Sequence, residues 1–296
     1  MNCHAQSTKE INLASNFRAT TTLETTTENI FSARPFGTFT PNFLQRGIIN
    51  FARKSILRRG MFRGSVTALI MKLSGTPLDV MFRGCAYRLF GNQNLIEYGI
   101  LLEPKYNAAD IDFLLEGGTT ASNFVDLGSN IGLYSLPCAK AAPHGLTLSI
   151  DANPKMADLL SWNAAASNIT NIQMISCAVS DTEGRGDLVI RKDDIAIVAL
   201  VEKKNGAVPV RALTAITAEL GLITIHGLKI DIEGHEDKAL VPFLDSAPRK
   251  LLPKRIVIEH PESEVDYPGC TAAFARHGYV LVGRSRNNSF YRLENG

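Results

Sequence analysis

From residue 122 onward, short apolar runs of strand length alternate with stretches whose apolar residues recur at helical spacing. The runs predict strands at 122–127, 145–151, 171–177, 225–231 and 254–259. Helices are predicted between them: 131–142, stopped by Pro143; 154–168, opened by Pro154; 213–220; and 236–245. A helix at 270–277 and strands at 279–283 and 288–293 close the pattern, the two strands near enough to pair antiparallel. Residues 186–212 hold three shorter strand-like runs, 187–191, 195–201 and 207–211, with a turn at Lys203–Gly206 joining the last two. Such alternation predicts an α/β, Rossmann-like fold: a mostly parallel seven-stranded sheet with helices on both faces and a C-terminal antiparallel hairpin.

The N-terminal third reads differently. Apolar runs at 78–82 and 86–90 flank Arg83-Gly84-Cys85 and predict a hairpin, followed by helices at 93–102 and 107–116 that end at Gly117-Gly118. Residues 77–120 are therefore expected to form a substrate cap on a catalytic domain of residues 121–296. Residues 42–76 carry Arg46, Arg53, Lys54, Arg58, Arg59 and Arg63 with no acid between 42 and 73. An apolar stripe that includes Phe43, Leu44, Ile48, Ile49, Phe51, Ile56 and Phe62 runs through them. Such a basic amphipathic segment can lie peripherally on an anionic membrane, recruit an acidic substrate, or dock its apolar face on the catalytic domain; docking is the expected use. Residues 1–41 are polar and threonine-rich, with too little apolar surface to offset ordering, and are expected to be disordered.

Chemistry concentrates at three predicted strand ends. The first reads Asp126-Leu-Gly128-Ser129-Asn130-Ile-Gly132, a buried strand breaking into a glycine turn. The second ends in Asp151-Ala152-Asn153-Pro154, where a carboxylate can hold both hydroxyls of a ribose. Gly128 and Gly132 would let the backbone approach a ligand closely, with amides near them touching it. The spacing lacks the G-x-G-x-x-G of a pyrophosphate cradle, since Asn130 stands at the second glycine's place. Acids at the strand tips suit a cationic ligand, so S-adenosylmethionine is the expected cofactor: Asp126 toward its amino-acid end, Asp151 on the ribose, Ala178 bordering the adenine. Asp181 is either a partner for the adenine amino group or a turn residue. The third segment, Lys229-Ile-Asp231-Ile-Glu233-Gly-His-Glu236, crowds acids at a strand's carboxyl end, where open parallel sheets bind ligands. Glu236 and Asp237 also suit the first turn of a following helix.

Together these segments resemble the FkbM-type S-adenosylmethionine-dependent methyltransferases. The shared pattern is D-x-G-x-N-x-G (Asp126, Gly128, Asn130, Gly132), an acid before x-N-P (Asp151, Asn153, Pro154), and K-x-D-x-E-G-x-E (Lys229, Asp231, Glu233, Gly234, Glu236). Ile256-Val-Ile-Glu259 resembles the family's later strand ending in glutamate. The likeness spans about residues 78–293, departs at Asp151, where glutamate is commoner, and does not imply a role for His235. It implies a class I methyltransferase fold and an oxygen acceptor, a hydroxyl of a small molecule or glycan. A hydroxyl needs a base nearby, and Asp231, Glu233 and Glu259 are the expected catalytic acids, with His260 next. The same three acids could take a divalent cation, but sequence does not fix their separation and no metal is expected.

Bulk properties alter this little. A net charge of +2 and the lack of an aromatic-rich basic patch argue against nucleic acid as partner. Five scattered cysteines (Cys3, Cys85, Cys138, Cys177, Cys270) read as reduced thiols, and no signal-peptide pattern is seen, so a cytoplasmic protein is expected, peripheral at the inner face of a membrane if 42–73 meets one. The alternatives are a non-catalytic S-adenosylmethionine-binding protein and a nicotinamide-dependent oxidoreductase.

Overall fold

The computed structural model describes residues 34–60, 62–73, 75–91, 95–190, 198–260 and 267–294. The expected seven-stranded sheet is present. In chain order its strands are β3 (Phe124–Leu127), β4 (Thr147–Asp151), β5 (Ile172–Ser176), β10 (Gly227–Ile230), β11 (Arg255–Glu259), β12 (Tyr279–Arg284) and β13 (Asn288–Leu293). Their spatial order is β12-β13-β11-β10-β3-β4-β5, parallel throughout except for β13, which runs antiparallel to both its neighbours. Strand order therefore reverses between β3 and β10, the crevice where open α/β sheets take ligands.

Alternation along the central strands sorts side chains onto two cores. Val125, Leu127, Leu148, Ile150, Leu228, Ile230, Ile256 and Ile258 face helices α7 (Leu213–Glu219), α8 (Glu236–Ser246) and α9 (Pro268–His277). Phe124 and Val257 face the other core, with the N-terminal elements and α5 (Ser135–Ala141). On that second side the register sets Lys229 against Asp126 and Asp126 against Ser149, a buried polar row across three strands. Ser135 Oγ at the start of α5 donates to Asp126 Oδ2, and Ser149 Oγ donates to Ser135 Oγ. Helix α5 begins four residues later than expected. Asn130 Oδ1 takes the Ile131 amide, and Pro137 has no N–H to give Leu133.

Residues 178–212 leave the main sheet. Strand β5 stops at Ser176, and Ala178–Ser180 (β6) begins a separate four-stranded sheet, β6-β9-β7-β8, with β7 (Gly184–Ile190), β8 (Val198–Glu202) and β9 (Val208–Ala212). Part of the runs expected at 187–191 and 195–201 falls on 191–197, outside the described residues.

The hairpin β1 (Leu78–Phe82)–β2 (Cys85–Leu89) turns on Arg83 and Gly84, both at positive φ, as a tight two-residue loop requires. Its open edge is covered by α6 (Pro154–Ala166) and the residue after it: Arg88 N donates to Asn163 Oδ1 and Ala86 N to Ser167 Oγ. Residues 34–41, expected to be disordered with the tail, are held here. Asp79 accepts from Gly37 N and Phe39 N, and Arg88 donates to Arg34 O and Pro35 O. The Asp79–Arg88 pair that anchors them is bidentate at 2.7 and 2.9 Å, fully enclosed, and roofed by the Trp162 and Phe39 rings.

Helices α1 (Phe43–Lys54) and α2 (Phe62–Lys72) follow, then α3 (Leu95–Leu102) and α4 (Ala108–Leu115). The expected docking of the basic segment holds in part only. Gln45, Ile49 and Ala52 of α1 are buried, with Gln45 Nε2 donating to Ile70 O, but Phe43, Leu44 and Phe51 point to solvent.

Removing one partner of a buried ion pair strands the other charge. Asp79→Ala is expected to cost about 3–5 kcal/mol in urea unfolding. A loss under about 1 kcal/mol would mean the pair does not anchor the hairpin.

Candidate functional site

Adjoining strand ends bring the acids together. Reading across β11, β10, β3 and β4, the carboxyl ends carry Glu259, Asp231, the Gly128 turn and Asp151. Gly128 (φ +79) sits where β3 and β10 splay; a Cβ there would meet Asp231 O at 1.8 Å. At Gly132 (φ +95) a Cβ would meet Leu136 at 2.6 Å. At both positions the missing side chain makes room for the protein itself.

The turn's amides are also not free for a ligand. Gly128 N and Ser129 N both donate to Ile150 O, Asn130 N to Asp151 Oδ2, Ile131 N to Asn130 Oδ1 and Gly132 N to Ser129 O. Asn130 adopts φ +47 to make this closed turn. A sharp turn between two buried elements satisfies its own donors in this way.

Asp151 is recessed and accepts one amide on each oxygen, from Asn130 N at 2.7 Å and Asn153 N at 2.8 Å. Each oxygen keeps a lone pair for another donor. Burial raises its carboxyl to about 6, helped by the Asp231 charge and opposed by those two amides. Asp126 is buried more deeply. Its Oδ2 holds Ser135, while its Oδ1 has no hydrogen-bond partner among the described residues. Burial raises it to about 6 as well, against the pull of Ser135 and Lys229. Ser129 is buried, with its hydroxyl toward Met174. Ala152 packs with Ala178 on the second sheet, and Ser176, not Ala178, stands level with Asp151. Asp181 is exposed in the bend before β7 and accepts from Ser180 Oγ.

Asp231, Glu233 and Glu259 each present an oxygen within 4.8 Å of the others, a separation the sequence left open and one divalent ion could span. Glu233 is held at φ +56, a strained value for its residue type. The strain is imposed by Glu236, buried and accepting from Ile232 N and Gly234 N, both at 2.9 Å. Asp237 instead caps α9, accepting from Gly269 N and Cys270 N. Lys229, buried under the row, lies 3.5 Å from Asp231 Oδ2. Burial, then the Asp231 charge and a hydrogen bond to Asp231, lift Glu259 to about 9, so at neutral pH it carries a proton.

A second ring of polar groups borders these acids and was not anticipated. Asn107 Nδ2 donates to Tyr134 Oη, Tyr134 Oη donates to Asp110 Oδ2, and Asn288 Nδ2 donates to the same oxygen. Tyr134 and Tyr106 both sense the charges of Asp110 and Asp231, and burial raises both phenols. Asp110 could have been flagged, since it shares the buried face of α4 with Ile111 and Leu114. A separate cleft of about 430 Å³ at Thr182–Arg185, Lys203, Lys204 and Val210 shares no residue with the acids. Its Arg185 and Lys203 bond within their own sheet.

The raised Glu259 carboxyl has a signed consequence. A group whose folded value lies above its unfolded value, here about 9 against 4.5, stabilises fully below the lower value and loses that contribution as pH climbs to the upper one. Thermal melts from pH 5 to 9 should therefore show wild type losing stability relative to Glu259→Gln. Parallel curves would refute the proton on Glu259.

No protein-family description and no curated protein matches the chain. Among solved structures, M. jannaschii TYW2 in complex with AdoMet aligns at 14% identity over 75% of this chain and 89% of that one, TM-score 0.41. The METTL16 MTase domain aligns at 9% identity over 78% of each chain, TM-score 0.45. M. capricolum TrmK with S-adenosyl-homocysteine aligns at 10% identity over 62% and 66%, TM-score 0.37. Likeness at this level carries no argument about what this chain binds or does.

Proposed function

We propose that the protein is an S-adenosylmethionine-dependent methyltransferase of FkbM type, acting on a hydroxyl of a small molecule or glycan. One observation carries the reading: the strand-end carboxyls Asp151, Asp231 and Glu259 adjoin at the sheet's switch point, and the turn beside them spends its amides internally, leaving none for a phosphate. That set of donors and charges fits a ribose plus a sulfonium and an ammonium. It does not fit a pyrophosphate, which counts against a nicotinamide dinucleotide.

Asp151 would take the ribose hydroxyls on its remaining lone pairs. Asp126, with one buried oxygen lacking a partner among the described residues, would face the cationic amino-acid end. Gly128, Ser129, Asn130 and Gly132 would shape the wall, with Ala152, Ala178 and Asp181 toward the base. When bound, S-adenosylmethionine supplies a methyl group already activated on sulfur. The chain's remaining task is to orient an acceptor hydroxyl and remove its proton. Glu259 donates its proton toward Asp231 and so cannot serve as base near neutrality, which leaves Asp231, backed by Lys229, to receive it. Glu233, fixed by its strained backbone, would orient the acceptor. Residues 77–120 would cap the acceptor side, where Tyr106, Asn107 and Asp110 stand.

Calorimetric titration with S-adenosylhomocysteine should give binding that weakens on the order of 10²-fold in Asp151→Ala, the equivalent of about two charge-assisted hydrogen bonds. Unchanged affinity would remove Asp151 from the cofactor site. Methyl-labelled cofactor incubated with hydroxyl-rich extract fractions should yield a labelled product. In Asp231→Asn its rate should fall about 10²–10⁴-fold with S-adenosylhomocysteine affinity retained. Equal loss of both would make Asp231 a binding residue.

A further inference from the structure

Helix α1 turns its largest apolar side chains outward. Phe43 is 88% exposed, Phe51 66% and Ile56, just beyond the helix, 73%. Leu44 joins them on the side opposite buried Gln45, Ile49 and Ala52. Arg46 and Lys54 of the helix and Arg59 just beyond it are exposed as well. The neighbouring cations on the inner side are spent on the fold: Arg53 donates to Leu101 O, and Arg58 pairs with Glu103 at 2.7 Å. No acid occurs from residue 42 to residue 73.

We propose that this face of α1 and the turn after it docks on an anionic lipid bilayer. Charge and shape select that occupant. A second copy meeting the same face would set Arg46, Lys54 and Arg59 against their own equivalents, with no acid in the segment to offset them. Nucleic acid would satisfy the cations but leave Leu44 and Ile56, which have no ring to stack on a base, against water. A bilayer surface takes both kinds of group at once. Phe43, Leu44, Phe51 and Ile56 enter the boundary between head groups and acyl chains, and the three cations stay with the phosphates. The helix lies in the surface plane, since no described helix is long and apolar enough to cross a membrane. Docking there would restrict the enzyme to acceptors at a membrane surface. The surface is distinct from the acid crevice, so its test is independent of the proposed activity.

The full-length protein should float with vesicles of phosphatidylcholine and phosphatidylglycerol (7:3) and not with phosphatidylcholine alone. Phe43→Ser/Phe51→Ser should lower the partition coefficient at least tenfold, and Arg46→Gln, Lys54→Gln and Arg59→Gln by roughly fivefold each at low salt. These side chains are exposed, so unchanged thermal melts are expected and would confirm that the variants fold. The proposal is overturned if wild type ignores the anionic vesicles or if Phe43→Ser/Phe51→Ser floats as wild type does. It is overturned equally by a homodimer in sedimentation equilibrium that the same double variant dissolves, or by mixed-sequence RNA whose binding depends on Phe43 and Phe51.

Discussion

Like charges at the ends of adjoining strands repel, and the crevice holds its carboxyls only because each is compensated in a different way. Asp151 is steadied by two backbone amides, Asp126 by a serine and a lysine beneath it, and Asp231 by Lys229 at 3.5 Å. Glu259 is pushed up by burial and by the Asp231 charge, which favours its protonated form. Removing any of these devices would either neutralise another acid or push the strand ends apart. Carboxyls compensated in different ways therefore stand side by side, an arrangement that under the proposed function would hold a cation and receive a proton.

The backbone serves the same end. Gly128 lets β10 pass within contact of the first turn, which brings Asp231 beside it. Glu236, buried behind the second loop, fixes the turn that carries Glu233 into a conformation that residue would not choose alone. Strain and burial at this crevice are offset by two dense cores, one on each sheet face, so the site rests on a rigid frame.

The N-terminal elements connect this frame to the surface. The Asp79–Arg88 pair pins residues 34–39 and the hairpin to α6, and α4 brings Asn107 and Asp110 to the crevice. Helix α1 buries Gln45, Ile49 and Ala52 and leaves Phe43, Leu44 and Phe51 outward, so its largest apolar groups lie away from the core.

Periodicity alone was enough for the strands and helices of the sheet, because buried parallel strands must be apolar runs and their crossover helices must show one apolar stripe. Acids at the ends of apolar runs drew attention to Asp151 and Asp231, while Glu259 was singled out only through the family resemblance. Folding alone decided the strand order, and with it which acids became neighbours; sequence carries no direct record of lateral position in a sheet. It also decided that the glycine turn spends its amides internally, that Ala178 belongs to a second sheet, and that Asp110 and Asn288, 178 positions apart, share a hydrogen bond. Contacts between distant segments depend on three-dimensional packing, whereas the periodicity that announces a strand or helix is local.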